Sequence, residues 1–311
     1  MRSAEEFFLT SLQKSGVCAN LDDDVHTFGL GSFKDSDQWI VALDGFCEDI
    51  HFKRAWFSVY GATKKAFLVN LSDIIAKNAV PKYALLSLVI PRDFVSSEIQ
   101  EIVDATQSVC QEFGMQIVGG DTMRGKRLEF HICIFAQSKR VIPRVARQRG
   151  LVVFCTQDRI HKLGGSYRQL TRLLRSGDYT RTKGSERQGL GGKCDSKKIQ
   201  NRFMYPSLRM VFMQIFGKKI QASMDVSDGL LQDLGKLLNG LDIRYSRYFR
   251  SLLKSGERWR SQSGEEYEVL FAIAPRERVA LRRILRICRL GVLEIGVVKR
   301  GKVKAHTKKW H

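Results

Sequence analysis

Hydrophobic and polar positions along the chain alternate between two periods. The stretches 37–44 (DQWIVALD), 83–91 (YALLSLVIP), 115–121 (MQIVGGD) and 128–137 (LEFHICIFAQ) are short apolar or alternating runs, which predict strands. Between them, 60–79 and 96–114 carry apolar residues at helical spacing, and the second is opened by serines and closed by glycine. With a short helix over 4–15, the first half reads as strands and helices in alternation, the mark of layered α/β structure. A strand at 151–156 opens the second half. It is followed by helix 207–216, strand 220–225, helix 228–238, strand 267–273, helix 276–289 and strand 292–298. Residues 175–202 are rich in Gly, Ser, Lys and Arg and nearly lack apolar side chains, which predicts a loop. No internal repeat is present. The basic stretch SKRVIPRVARQRG near 140 marks the best cut, giving domains over 1–140 and 141–311.

Composition narrows the classes of partner. The chain has 311 residues, 43% of them hydrophobic, enough for a packed core and two domains. Lys and Arg number 52 against 32 Asp and Glu, a formal charge of +20. That balance favours nucleotides, phosphorylated metabolites, nucleic acid or an anionic membrane surface, and does not choose among them. The seven cysteines show no CxxC and no zinc-type His/Cys spacing, so reduced thiols in a cytoplasmic protein are expected. The opening stretch is acid-containing and lacks the apolar core of a signal peptide, and no window reaches membrane-spanning length. The expectation is a soluble cytoplasmic protein without a membrane partner. A Walker A loop, a GxGxxG after a strand and a kinase catalytic-loop signature are all missing, so any handling of ATP uses another architecture.

Candidate chemistry lies in acidic residues on this basic chain. Five sites adjoin apolar runs where strands or helices begin or end: LDDDV at 21–25, VALDGFCEDIHF at 41–52, VNLSDIIA at 69–76, IVGGDTMRG at 117–125, and DVSDG at 225–229. Carboxylates at strand ends can converge on one rim of a sheet, and converging carboxylates need a cation. Hard oxygen donors suit magnesium, which shares its sphere with water and substrate phosphates. Each site also has a plain structural reading. Asp225 and Ser227 can cap the helix predicted from 228, Asp73 can be a solvated turn, GGD a tight turn, and His51 a structural histidine.

Taken in order, LDDDV, LDGFCEDIHF, KAFLVNLSDIIAKNAVP, MQIVGGDT, SMDVSDGLLQDL and SGEEYEVLF resemble the thiamine-monophosphate kinase family, within the superfamily of aminoimidazole ribonucleotide synthetase. The resemblance runs from about residue 20 to residue 300. It implies a two-domain α/β fold whose N-terminal sheets pair across a homodimer and whose C-terminal half is a mixed sheet with helices, with ATP and several Mg2+ ions in a cleft between domains. It implies transfer of the γ-phosphate of ATP to thiamine monophosphate. By position, Asp24, Asp44, Asp73, Asp121, Asp225 and Asp228 match metal ligands. Gly120, Asp121, Arg144 and Ser227 match nucleotide contacts, and His51, Glu265 and Trp310 match residues that hold the thiamine substrate. The chain departs from the family where the hydroxyl pair before the central aspartate becomes Ala42-Leu43, so at least one side-chain hydroxyl is absent. GGEDYEL has become SGEEYEV, which keeps Glu265 and Tyr267, and 175–202 has no clear counterpart.

Two other readings stand beside this one. The first is an ATP-dependent enzyme of the same superfamily acting on another phosphorylated small molecule. The second is a basic nucleic-acid-binding protein, resting on Lys/Arg runs at 138–149 and 172–203; it lacks a recognised module, and it predicts binding that falls steeply with salt.

Overall fold

The computed structural model describes residues 26–28, 38–159, 162–176 and 202–299. The helix expected over 4–15, the LDDDV segment with Asp24, Trp310 and most of the loop expected at 175–202 lie outside them.

The first sheet contains β1 (His26–Phe28), β2 (Gln38–Cys47), β3 (Val80–Pro91), β4 (Gln116–Gly125) and β5 (Glu129–Ser138) in the order β1-β2-β5-β3-β4. Its pairs are antiparallel except β3–β4. That pair is joined through helix α2 (Ser96–Phe113), and a helical crossover is what parallel neighbours require. Strand period sets the two faces. In β2, Ile40, Ala42 and Phe46 are buried against helix α1 (Val59–Ala76), whereas Leu43 between them is 66% exposed on the other face.

The second sheet contains β6 (Val152–Asp158), β7 (Ile220–Asp225), β8 (Asp242–Tyr245), β9 (Val269–Ile273) and β10 (Leu290–Lys299), ordered β7-β9-β6-β10-β8 and antiparallel throughout. Every residue of β9, VLFAI, is buried, as its unbroken apolar run predicts. Helices α3 (Gly165–Ser176), α4 (Met210–Phe216), α5 (Leu230–Leu238), α6 (Arg247–Lys254) and α7 (Arg278–Ile287) complete this half.

Helix α1 joins the two sheets. Ala66, Phe67, Leu71 and Ile74 are fully buried, and the helix is apolar nearly all round, the pattern of a helix enclosed on several sides. One core runs from Ile40, Phe130 and Ile132 of the first sheet through α1 to Phe212, Phe216 and Phe271 of the second half. A smaller core, with Val153, Leu234, Phe249 and Ile295, backs the second sheet. Polar ties repeat the join: Lys77 Nζ donates to the Ser223 carbonyl at 3.2 Å, and Arg140 donates to the carbonyls of Lys218 and Ile220 at 2.8 and 3.0 Å. Among the described residues no helix is long and apolar enough to cross a membrane.

Four elements depart from the sequence reading, the three-residue β1 among them, and the second sheet, expected to be mixed, is antiparallel in every pair described. Helix α3, GSYRQLTRLLRS, was not predicted: its short stripe of Tyr167, Leu170, Leu173 and Leu174 is set among arginines, and of these four Leu173 is the one that is buried. β8 is four residues long, below the length at which alternation is legible. α6 follows it at once, with Ser246 as N-cap accepting from Phe249 N at 3.1 Å.

Candidate active site

The site begins with α1. Residues 70–73 of this helix, Asn-Leu-Ser-Asp, interrupt an apolar run with three polar side chains, and two of these face opposite sheets. Asn70 Oδ1 accepts from the backbone N–H of Asp44 on β2 at 2.9 Å. Ser72 Oγ donates to Asp225 Oδ2 at the end of β7 at 2.5 Å. The motif therefore holds the carboxylate-bearing ends of both sheets to one helix, with Asp73 beside the second contact. A turn earlier, the ammonium of Lys65 is fully buried and pairs with Glu265 at 2.5 Å, inside a box of Phe46, Phe57 and Phe203, the last with its ring centroid 3.8 Å away. Burial holds the Lys65 amine below its ordinary range, and Glu265 offsets part of that.

The turn after β7 is built in an unexpected way. Helix α5 starts at Leu230 with Gly229 as its N-cap, so neither Asp225 nor Ser227 caps it. Asp233 performs that task from inside the helix: its Oδ2 accepts from the N–H groups of Ser227, Asp228 and Gly229, each at 3.1 Å. Gly229 has φ +115°, and a Cβ there would lie 2.8 Å from the Gln262 carbonyl, so the position requires glycine. Asp225 itself is 3% exposed and accepts from Ser72. Asp228 pairs with Lys236 at 2.6 Å and accepts from Gln232 at 3.2 Å.

The segment 265–268 sends successive side chains in opposite directions. Glu265 and Tyr267 adopt φ of +52° and +50°, in the left-handed region that such residues rarely occupy and that clusters at functional sites. Backbone contacts impose this: Glu265 N donates to the Ser227 carbonyl at 2.7 Å and Tyr267 N to the Val226 carbonyl at 2.9 Å. Glu266 and Glu268 point the other way, into buried arginines. Glu268 takes Arg209 through both oxygens, Arg202 at 2.9 Å and the Thr156 hydroxyl at 2.5 Å. Glu266 takes Arg202 at 3.2 Å, Ser263 at 2.5 Å and the N–H of Gly164 at 2.9 Å.

Tyr267 marks where the carboxylates meet. Burial raises its hydroxyl well above the ordinary range, and the charges of Glu265, Asp225, Asp44 and Asp73 push it the same way. Four acidic side chains from two sheets and the central helix thus lie within electrostatic reach of one phenol. An all-oxygen, multiply anionic set of this kind suits a hard divalent cation.

Other expected residues are placed differently. Cross-strand register puts Gly120 in the row Asp44–Ile132–Leu86–Gly120, three strand spacings or roughly 14 Å from Asp44. Gly120 and Asp121 lie within the exposed strand β4 rather than in a tight turn, and Asp121 Oδ1 accepts from Thr122 N at 2.8 Å. Glycine is needed at 120 because a Cβ there would lie 1.9 Å from the Leu86 carbonyl oxygen. His51 closes the turn after β2: its Nδ1 accepts from Cys47 N at 2.9 Å, and its ring stacks on Phe46 at 5.6 Å, next to the Lys65 box. Arg144 is half-buried in the link between the sheets, one residue after Pro143, whose carbonyl accepts from Ser223 N on β7. Of the Ala42-Leu43 pair, only Ala42 shares the face of Asp44, so a single hydroxyl is missing from the carboxylate side. Sequence reasoning did not single out Lys65, Asn70, Ser72 or Asp233. The available signal was the polar residues set within otherwise apolar helices.

The paired sheets, the bridging helix and this carboxylate rim define a class. Residues 22–138 match the family model described as AIR synthase related protein, N-terminal domain. Over most of its length it is similar to thiamine-monophosphate kinases. The one from Nitrosopumilus maritimus is 27% identical over 252 residues, covering 78% of this chain and 75% of that protein. The one from Bacillus subtilis is 24% identical over 302 residues, covering 93% and 88%. In fold, the chain superposes on a solved structure of AaThiL complexed with AMPPCP and TMP, with TM-score 0.76 and 23% identity, covering 100% of this chain and 98% of that one.

Proposed function

We propose that this protein transfers the γ-phosphoryl group of ATP to thiamine monophosphate, forming thiamine diphosphate and ADP. The observation that carries the reading is the Asn70–Ser72–Asp73 joint, which ties Asp44 of one sheet and Asp225 of the other to one helix beside Tyr267. The similarity to thiamine-monophosphate kinases supports it by spanning both halves of the chain.

Asp44, Asp73 and Asp225 are the residues we assign to magnesium, and Asp24, Asp121 and Asp228 are assigned with them. Their donor chemistry fits: oxygen ligands, several negative charges, and groups fixed by helix and strand backbone. Bound there, magnesium would neutralise charge on the phosphate oxygens. The chain's own residues supply position. Ser72 orients the Asp225 carboxylate, and Asn70 anchors the strand end that carries Asp44. The acceptor is a phosphate oxygen that is already anionic, so no strong general base is required and in-line placement dominates. The bond between the γ-phosphorus and its bridging oxygen breaks as the bond to the acceptor oxygen forms. Gly120, Asp121, Arg144 and Ser227 are assigned to the nucleotide, and His51, Glu265 and Trp310 to the thiamine substrate. The net positive charge draws both anions inward.

On this reading residues 1–140 form the nucleotide- and metal-binding domain, residues 141–311 complete the site, and the enzyme acts in the cytoplasm as a homodimer. The bare face of the first sheet, with Leu43, Leu85 and Val118 exposed, supports the dimer. The test supplies the folded protein with ATP, magnesium and thiamine monophosphate. Thiamine diphosphate and ADP in equal amounts are expected. Their absence, with turnover of another phosphorylated acceptor, would transfer the reading to a sister activity.

A further inference from the structure

The face of the first sheet opposite α1 carries a second constellation, unrelated to the phosphoryl-transfer rim. Cys47 on β2 is paired directly with Glu129 on β5, and His131 follows two residues along β5 on the same face. One ligating atom from each of these three side chains lies within 4.8 Å of the other two, and among the described residues this is the only such group of histidine, cysteine and acidic side chains. His131 Nε2 stands 3.6 Å from Glu129 Oε2.

Opposite His131 in the ladder is Gly45, and a Cβ at that position would lie 3.3 Å from His131 Nδ1. The imidazole therefore lies over a residue without a side chain and reaches across the strand pair toward Cys47. Thiolate, imidazole and carboxylate together are the ligand types of a borderline divalent ion rather than of magnesium.

We propose that Cys47, Glu129 and His131 form a binding site for a zinc-class divalent ion, with three protein ligands on the sheet face assigned above to the homodimer. The two strands hold the ligand backbones in fixed register, and bonds of about 2.0–2.3 Å to one centre need only side-chain rotation to draw the three atoms together. Asp44 and Cys47 occupy opposite faces of β2, so the sheet separates this ion from the carboxylate rim. Burial and the neighbouring Glu129 raise the Cys47 thiol above its ordinary range. The thiol must lose its proton to bind, so affinity rises with pH.

Cobalt(II) titration of the metal-free, reduced full-length protein in excess magnesium tests this. One equivalent per chain is expected, with a thiolate-to-cobalt charge-transfer band that zinc abolishes by displacement. Cys47→Ser should remove the band, and His131→Gln should weaken binding at least tenfold, with both variants keeping the wild-type melting temperature. No band in the wild type, an undiminished band in Cys47→Ser, or displacement by magnesium would overturn the site. The outcome does not depend on phosphoryl transfer, which is assayed separately.

Discussion

Two sets of buried or half-buried carboxylates lie within a few residues of each other in this molecule, and they are treated oppositely. Glu266 and Glu268 turn into the second half, where Arg202, Arg209, Thr156 and Ser263 meet them. Glu265 turns the other way, toward Asp44, Asp73 and Asp225 around Tyr267. Burial by itself raises a carboxyl group, as it does at Glu266. At Glu268, Arg209, Arg202 and Thr156 outweigh it and hold the group below its ordinary range. At the other set the acids lie around a phenol, and Glu265 pairs with Lys65. Carboxylates matched by arginine inside a core hold the chain in shape. Carboxylates placed where two sheets meet serve, on the function proposed above, a cation and phosphate. Alternate residues of one short segment serve the two ends because backbone contacts force Glu265 and Tyr267 into left-handed geometry.

Substitutions can break this contrast. The largest effect is expected for Glu268→Gln, which leaves two buried guanidinium groups short of a counter-charge and should cost about 3–5 kcal/mol of stability in urea unfolding. The pH dependence has a definite sign. The folded Glu268 is held below its unfolded value of 4.5, so its contribution is present above that value and lost as pH falls through the folded value. The gap between wild type and variant should therefore narrow on acidification below pH 4.5; a constant gap would contradict the arginine match.

Asp225→Asn belongs to the other set and should lower turnover about 10²–10³-fold, with a melting temperature near that of the wild type. A large loss of stability with activity retained would move Asp225 to the structural set. Glu265→Gln should act mainly on the acceptor, raising its KM about tenfold, or about 1.4 kcal/mol, with a smaller change in kcat; steady-state kinetics with each substrate varied in turn decides this. The smallest effect is expected for Ser72→Ala, which removes one hydrogen bond to Asp225 and should cost about 1 kcal/mol in stability. A several-fold loss of turnover should accompany it, and unchanged turnover would show that Ser72 does not orient the carboxylate.

Strands β2 to β5 and helix α2 were legible from their period and helix α1 from its long, mostly apolar run, whereas the three-residue β1 was not read. The strand expected over 220–225 coincides with β7, Ile220–Asp225. Expectations failed where the period was weak or short: the polar α3, the four-residue β8, and the stretch 263–268, which was read in part as strand and is irregular up to Val269. Asp44, Asp73 and Asp225 were singled out in sequence by their place at the ends of apolar runs and Glu265 by the family resemblance, and all four lie within electrostatic reach of Tyr267. Gly120 and Asp121 were singled out too, but register sets them three strands from Asp44. Strand order is a long-range property that a local pattern does not encode.

The sequence by itself determined which segments form strands and helices, which acidic residues stand at their ends, and a resemblance to one kinase family. These follow from local period and from motifs that survive drift in the surrounding loops. Tertiary structure alone decided that α1 lies between two sheets and that Asn70 and Ser72 reach opposite ways from it. It also decided that the turn at DVSDG is capped from within by Asp233 rather than by its own side chains. The physical reason is the same each time. A side chain's partner is set by which surfaces the core brings together, and burying α1 fixed those surfaces.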